Sequence, residues 1–188
     1  MIRLLDNCIA FRLLLFLTAN VGQKYSINEL ARLNKISPRA AEINCKYLFN
    51  EELLLKEVVG KSHLYFINTE NELTKLFKKI AFPYLFLSKE SNEFFSKNED
   101  GIISVYLYGS CASGTYNDKS DVDIFILSTN ELSNESLSEI RVFCQDKIFD
   151  RKLQLTCYTL SSFRKMIKSG NPFVNEVAKG VKLFGNKI

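Results

Sequence analysis

The 188-residue chain contains a single histidine, His63, no tryptophan, three prolines and two methionines. With one imidazole in the whole sequence, neither a histidine-rich metal centre nor a Ser-His-Asp triad is read from it. Five cysteines (Cys8, Cys45, Cys111, Cys144, Cys157) are scattered and odd in number, and none stands in a Cys-x-x-Cys pair. That pattern offers neither a disulfide framework nor a zinc ligand set, and it predicts reduced thiols and a cytoplasmic location. Internal repeats and low-complexity tracts are absent. A long apolar run is missing too. Asp6 and Arg12 interrupt the start "MIRLLDNCIAFRLLLFLTAN", and the uncharged stretch after Arg12 ends at Lys24. This is too short for a bilayer span and lacks the clean apolar centre of a signal peptide, so a buried first helix is expected, with no membrane association.

What is present is a foldable composition, 46% apolar and 24% charged, in a length that suits one ordinary domain or two small ones. The net charge of +4 is unevenly placed: residues 1–80 carry 12 Lys/Arg against 8 Asp/Glu, and residues 81–188 carry 13 of each. A basic surplus confined to one part points to an anionic partner for that part.

The stretch "YSINELARLNKISPRAAEINCKYLFNEELL" has well-marked helix signals. Ser26 followed by Glu29 is a capping-box pattern and predicts a short helix over Ile27–Leu33. "NKIS" is a turn, after which Ser37 is a fitting N-cap with Pro38 at the first helical position. Ala41, Cys45 and Leu48 recur at helical spacing and predict one buried face, leaving Arg39, Glu42, Asn44 and Lys46 outward. Next, "LLLKEVVGKSHLYFIN" reads as a hairpin turning at Gly60-Lys61-Ser62. A helix, a helix-turn-helix and a basic-tipped hairpin together resemble a winged-helix DNA-binding domain of the MarR/ArsR-like kind. The resemblance implies that Arg39, Asn44 and Lys46 face DNA, with Lys61 and His63 on the wing, and that an operator-like DNA site is a partner. Winged helices also serve as protein-binding or dimerisation modules, and Ile43 near the polar face suits that alternative.

Leu73, Leu76, Phe77 and Ile80 predict an amphipathic helix with those residues inward, ended or kinked at Pro83. A second helix is expected from Tyr84 to about Lys97, with Leu87, Phe94 and Phe95 in a core, and "KNEDG" breaks the chain before an apolar strand. The expected organisation is a winged-helix domain over 1–69, a helical linker over 70–83 and a second domain over 84–188.

"IISVYLYGS" is a strand of β-branched and aromatic residues that stops at Gly109. Small residues follow and can start a helical turn close to a ligand. In "DVDIFIL" a second strand places Asp121 and Asp123 on one face. Backbone N–H groups after Gly109 and the Ser110 hydroxyl suit phosphate oxygens, and two carboxylates one pleat apart suit Mg²⁺. The sequence Gly-Ser, ten residues, Asp-x-Asp resembles the signature of the DNA polymerase β-type nucleotidyltransferase superfamily, and the stretch from about Leu85 to Gly185 resembles its minimal nucleotidyltransferase branch. The resemblance implies an α/β (α+β) domain with a small mixed sheet. It implies Ser110 on the β/γ-phosphates of an NTP, probed first with ATP, and Asp121 and Asp123 holding two Mg²⁺ ions. An acceptor hydroxyl would attack the α-phosphate in line, and pyrophosphate would leave.

That family pattern also implies a third carboxylate on a neighbouring strand. In "RKLQLTCYTL" the position falls most naturally on Gln154, a neutral side chain, with Asp150 as a fallback ligand. The expectation is a domain that binds Mg-NTP and transfers slowly or not at all. After "NP" at Asn171-Pro172, a last helix stops at Gly180 and a short strand follows; Lys179 and Lys182 near phosphates, or simply solvated, both remain open. Three functions stay open at this stage. One is a transcription regulator with a nucleotide-sensing domain. Another is an active nucleotidyltransferase of the antitoxin type, which would modify a nucleic acid or a protein partner such as a HEPN toxin. The third is a scaffold with vestigial sites. A homodimer is expected from the apolar first helix.

Overall fold

The apolar run after Arg12 forms α1 (Ile9–Ala19), in which Leu13 through Ala19 are all buried. A helix apolar on every side has to lie inside its unit. The structure, a computed structural model, describes residues 5, 7–97 and 101–188. Residues 1–4 and 6 of the expected first helix, and 98–100 of the expected break, lie outside the described residues. The chain divides into two units, Met1–Ala81 and Phe82–Ile188.

In the first unit α1 is followed by β1 (Tyr25–Ser26), α2 (Ile27–Leu33), α3 (Pro38–Asn50), β2 (Leu54–Val59) and β3 (Ser62–Ile67). The three strands form an antiparallel sheet in the order β1-β3-β2. Local chemistry sets these boundaries. Ser26 and Glu29 complete a reciprocal capping box at the start of α2. The Ser37 hydroxyl accepts from the Ala40 N–H at 3.2 Å, with Pro38 opening α3. Ala41, Cys45 and Leu48 are the buried residues of α3, as their spacing predicts. The two-residue β1 has no signal strong enough to be predicted from sequence.

α4 (Glu72–Phe86) corrects two expectations. It does not stop at Pro83 but passes through it, with the Leu87 N–H donating to the Pro83 carbonyl at 2.9 Å. Proline forfeits one helical hydrogen bond there, yet Phe82 and Phe86, one turn apart and fully buried, anchor the helix on both sides of it. The inward face also differs. Leu73, Leu76 and Ile80 are exposed (49%, 58% and 46%), while Thr74 and Ala81 are fully buried and Phe77 is half-buried. Phe77 packs on Phe11 with ring centroids 6.2 Å apart, so the helix is turned about this one large ring, away from the aliphatic stripe. The expected second helix is shorter than predicted. The chain breaks at Leu87-Ser88, and α5 (Lys89–Ser96) begins with the Ser88 hydroxyl accepting from the Ser91 N–H. Phe95 is buried, and Phe94 and Leu87 are half-buried.

In the second unit β4 (Ile102–Tyr108), α6 (Gly109–Ser113), β5 (Val122–Ser128), α7 (Asn134–Gln145), β6 (Leu153–Thr159), α8 (Leu160–Lys168), α9 (Pro172–Ala178) and β7 (Val181–Gly185) follow α5. Four strands make a mixed sheet in the order β6-β5-β4-β7. β5 and β6 run parallel, and the other pairings are antiparallel. This is a mixed α/β architecture. β5 lies inside the sheet and reads as a continuous apolar run, with Val122, Ile124, Phe125 and Ile126 fully buried. On one face Tyr106, Tyr108, Phe125 and Leu127 pack with Phe163 of α8 and Val177 of α9. On the other side of the unit Phe94, Phe95 and Phe143 cluster, Phe94 stacked on Phe143 at 3.9 Å. Burying a phenylalanine fully, as for Phe95, Phe125 and Phe163, stabilises by roughly 2–3 kcal/mol.

No helix among the described residues is long and apolar enough to cross a membrane. The five thiols are free. Cys45, Cys111 and Cys144 are buried, Cys157 is half-buried and Cys8 is exposed. Burial pushes the Cys45, Cys111 and Cys144 thiols up to about 12 and Cys157 to about 11, so these four are poor nucleophiles.

Candidate active site

The ends of β4, β5 and β6 meet at one edge of the mixed sheet. Tyr108, the last residue of β4, pairs with Asp123, and Asp123 pairs in turn with Gln154 of β6. Alternation along β5 buries Val122 and Ile124 and leaves Asp121 and Asp123 half-buried on the opposite side. The polar row that meets them is Lys152, just before β6, with Gln154 and Thr156 of β6.

Gly109 turns the chain out of β4 with φ +67°, a left-handed conformation that side chains disfavour. A Cβ at this position would lie 2.6 Å from Asp123 Oδ2, so only glycine lets the turn and the carboxylate approach this closely. α6 begins here and places the half-buried Ser110 next to the turn. Its far end is closed by Gly114, also left-handed, and by the Ser113 hydroxyl, which donates to the Gly109 carbonyl at 3.1 Å.

Asp121 is fixed from behind. Its carbonyl accepts from the Cys111 thiol at 3.3 Å, and the next N–H, of Val122, donates to the Lys152 carbonyl at 2.8 Å. The loop before it is held by Arg151, a buried guanidinium whose Nη1 donates to the carbonyls of Asn117 and Ser120, both at 2.8 Å. The Phe82 and Tyr116 rings lie 5.5 and 5.2 Å from that guanidinium. A buried charge that satisfies two loop carbonyls between aromatic faces locks the loop, and with it the backbone that carries Asp121. Lys152 Nζ lies 3.6 Å from Asp121 Oδ2, with the lysine side chain 80% exposed.

Asp123 has the most perturbed carboxyl described. Burial, then the charges of Asp121 and Glu176, push it up from 3.8 to about 6. Burial likewise raises the Tyr108 hydroxyl above the ordinary phenol range, partly offset by its hydrogen bond with Thr156 at 3.1 Å. Glu176 belongs to α9, which crosses the end of β4. Phe173 packs on Tyr108 with centroids 5.5 Å apart, and a Cβ on Gly180 would come within 2.4 Å of the Leu107 carbonyl. Between α6 and α9 runs a groove of about 410 Å³ lined by Gly109, Ser113, Asn175, Glu176 and Lys179, among others.

The predicted residues Gly109, Ser110, Asp121, Asp123 and Gln154 are therefore brought to one edge. Asp150 is exposed in the turn before β6 and stands outside the strand. Among the described residues no group of three or more His, Cys, Asp or Glu side chains is arranged to hold a metal ion. Arg151, Lys152 and Glu176 were not singled out from the sequence. Glu176 carried a signal, since it lies one turn after Phe173 on a helix whose capping was legible. The donor set is all oxygen, and the charges of Asp121 and the exposed Glu176 bear on the half-buried Asp123, whose own charge burial disfavours. Such a site fits a hard divalent cation such as Mg²⁺.

In the first unit Arg39 and Lys46 are exposed on α3, and both pair with Glu42, at 3.5 and 2.7 Å. Asn44 is half-buried, and its amide donates to the Ala40 carbonyl of its own helix at 2.8 Å. Ile43 and Tyr47 are exposed on the same helix (53% and 59%). Lys61 and His63 are exposed at the hairpin.

Residues 89–176 match the model of the family described as Polymerase beta, Nucleotidyltransferase. The match contains Gly109, Ser110, Asp121, Asp123 and Gln154 and ends at Glu176, and it supports reading the second unit as a nucleotidyltransferase domain. No curated protein matches the chain.

The raised Asp123 carboxyl makes a prediction. Between 3.8, its unfolded value, and about 6, the folded chain binds more protons, so stability falls as pH rises through this window. Asp123→Asn removes the buried charge. Its Tm is expected to exceed that of the wild type at about pH 8, with the gain shrinking below about pH 6 and absent near pH 4. Calorimetric scans across that range check it, and a lower Tm for the variant at about pH 8 would contradict it.

Proposed function

We propose that the second unit binds a nucleoside triphosphate, ATP by first choice, together with Mg²⁺, and transfers its nucleotidyl group slowly or not at all. The observation that carries this reading is the register Asp123↔Gln154, which seats a neutral amide beside the acid pair of a nucleotidyltransferase-like sheet edge. Gly109 allows close backbone approach and Ser110 offers a hydroxyl to terminal phosphate oxygens. Asp121 and Asp123 would hold the cation. Bound Mg²⁺ supplies charge neutralisation of the phosphates and a template for the nucleotide. An acceptor hydroxyl needs a base or strong charge stabilisation to attack the α-phosphate. Gln154 cannot accept its proton, and Glu176, which reaches Asp123 electrostatically from α9, adds to the negative charge of the same region.

Incubation with α-labelled ATP tests the reading. Wild-type self- or partner-labelling is expected to be weak, and Gln154→Glu is expected to raise it tenfold or more, since an added carboxylate is worth at least about 1.4 kcal/mol in transition-state charge stabilisation. Strong wild-type transfer, lost in Asp121→Ala, would instead support the active enzyme, with a HEPN-type toxin or a nucleic acid as acceptor.

For the first unit we propose a winged-helix module on an operator-like DNA site, acting as a homodimer in a cytoplasmic regulator. Support comes from the element order α1-β1-α2-α3-β2-β3, the exposed Arg39, Lys46 and Lys61, and the basic surplus of residues 1–80. Glu42 tempers that field by pairing with two of the three cations. The exposed Ile43, Tyr47, Val58 and Val59 favour a second reading, a protein-binding face. A gel shift with upstream DNA should weaken steeply with salt and vanish in Arg39→Ala/Lys46→Ala. A shift unchanged by the double substitution would sink the DNA reading.

A further inference from the structure

The acid pair faces a strand that carries no acid. Lys152, just before β6, and Gln154 and Thr156 of β6 lie toward the side on which Asp121 and Asp123 stand. The Asp123↔Gln154 register and the bond from the Val122 N–H to the Lys152 carbonyl place this row directly alongside β5. Lys152 goes further than neutrality, because its ammonium is 3.6 Å from Asp121 Oδ2. We infer that the site takes one divalent cation with its nucleotide, and that Lys152 supplies the positive charge that a second cation would otherwise bring. This deepens the nucleotide-site reading and rests on it.

The argument is one of charge. Two divalent cations close together repel strongly, and a site holds both only if enough carboxylate charge lies between and around them. Here the segment entering β6 contributes one positive charge, Lys152, and β6 one neutral amide, Gln154, at the positions that flank Asp121 and Asp123. Asp121 already has a cation at ion-pair distance, so its capacity to draw a second ion is reduced. Asp123 faces the neutral Gln154 across the strand, so β6 leaves its charge unmet and one ion satisfies it. Lys152 is largely exposed, so the pair itself adds little to stability. Its consequence is instead the local charge seen by an incoming ion. A flexible ammonium need not be rigidly placed to repel a second cation from the carboxylate that it attends.

The test counts ions. Electron paramagnetic resonance of the full chain with Mn²⁺ and saturating α,β-methylene-ATP, which cannot be cleaved at the α-phosphate, is expected to show one isolated Mn²⁺ per chain. In Lys152→Ala/Gln154→Glu, both changes being at exposed positions, a second Mn²⁺ is expected, seen as two ions per chain and a dipolar-broadened signal. Thermal unfolding like that of the wild type shows that the variant is folded. Two Mn²⁺ in the wild type would overturn the inference and leave the nucleotide site standing. A folded double variant still limited to one ion would overturn it as well. If neither protein binds Mn²⁺ with the nucleotide, the nucleotide-site reading itself fails, and the inference fails with it.

Discussion

The pairing of β5 with its two neighbours is the constraint on which the second unit depends. β5 runs antiparallel to β4 and parallel to β6, so from Asp123 to Ser128 each residue has a fixed partner on either side. A shift of one residue would exchange the two faces of β5 and carry Asp121 and Asp123 from the edge shared with Tyr108 and Gln154 to the side on which Val122 and Ile124 are fully buried. Burying two carboxylates without partners is far more costly than any local preference of the turn at Gly109 could offset. The cost of burying the two carboxylates therefore holds the register of an otherwise continuous apolar strand, and the register decides which side chains meet at the sheet edge. The site is a by-product of how the core packs.

Around that edge the charges are unevenly matched. Arg151 is spent on the carbonyls of Asn117 and Ser120, where it secures the loop leading into Asp121. Lys152, the next residue, stands over the Asp121 carboxylate. Asp123 is left with Asp121 and Glu176 as electrostatic neighbours and with a neutral amide across the strand. One carboxylate of the pair is compensated by the chain and the other is not.

Much of this was legible in the sequence, and the reason is range. Ser26 with Glu29, Ser37 with Pro38 and Asn171 with Pro172 act within three residues of themselves, and the helices begin where those residues place them. The strands around Gly109 and Asp121 are marked by β-branched residues and alternation. Longer-range choices were not legible. Phe77 meeting Phe11 turns α4 away from its aliphatic stripe, and the burial of Phe82 and Phe86 carries that helix through Pro83. α8 was hidden because Thr159 reads equally well as a strand end, although its hydroxyl caps Ser162. Arg151, Lys152 and Glu176 acquire their roles only when strands and helices distant in sequence are brought together.

The central claim is that the edge formed by Gly109, Ser110, Asp121 and Asp123 is a Mg-dependent nucleotide site. Isothermal titration of the full chain with ATP, GTP, CTP and UTP, with and without Mg²⁺, tests it most directly. The account predicts binding of at least one nucleotide, ATP first, that requires Mg²⁺ and disappears in Asp121→Ala/Asp123→Ala. Absence of binding for all four, or binding that is indifferent to Mg²⁺ and to the double substitution, would contradict it.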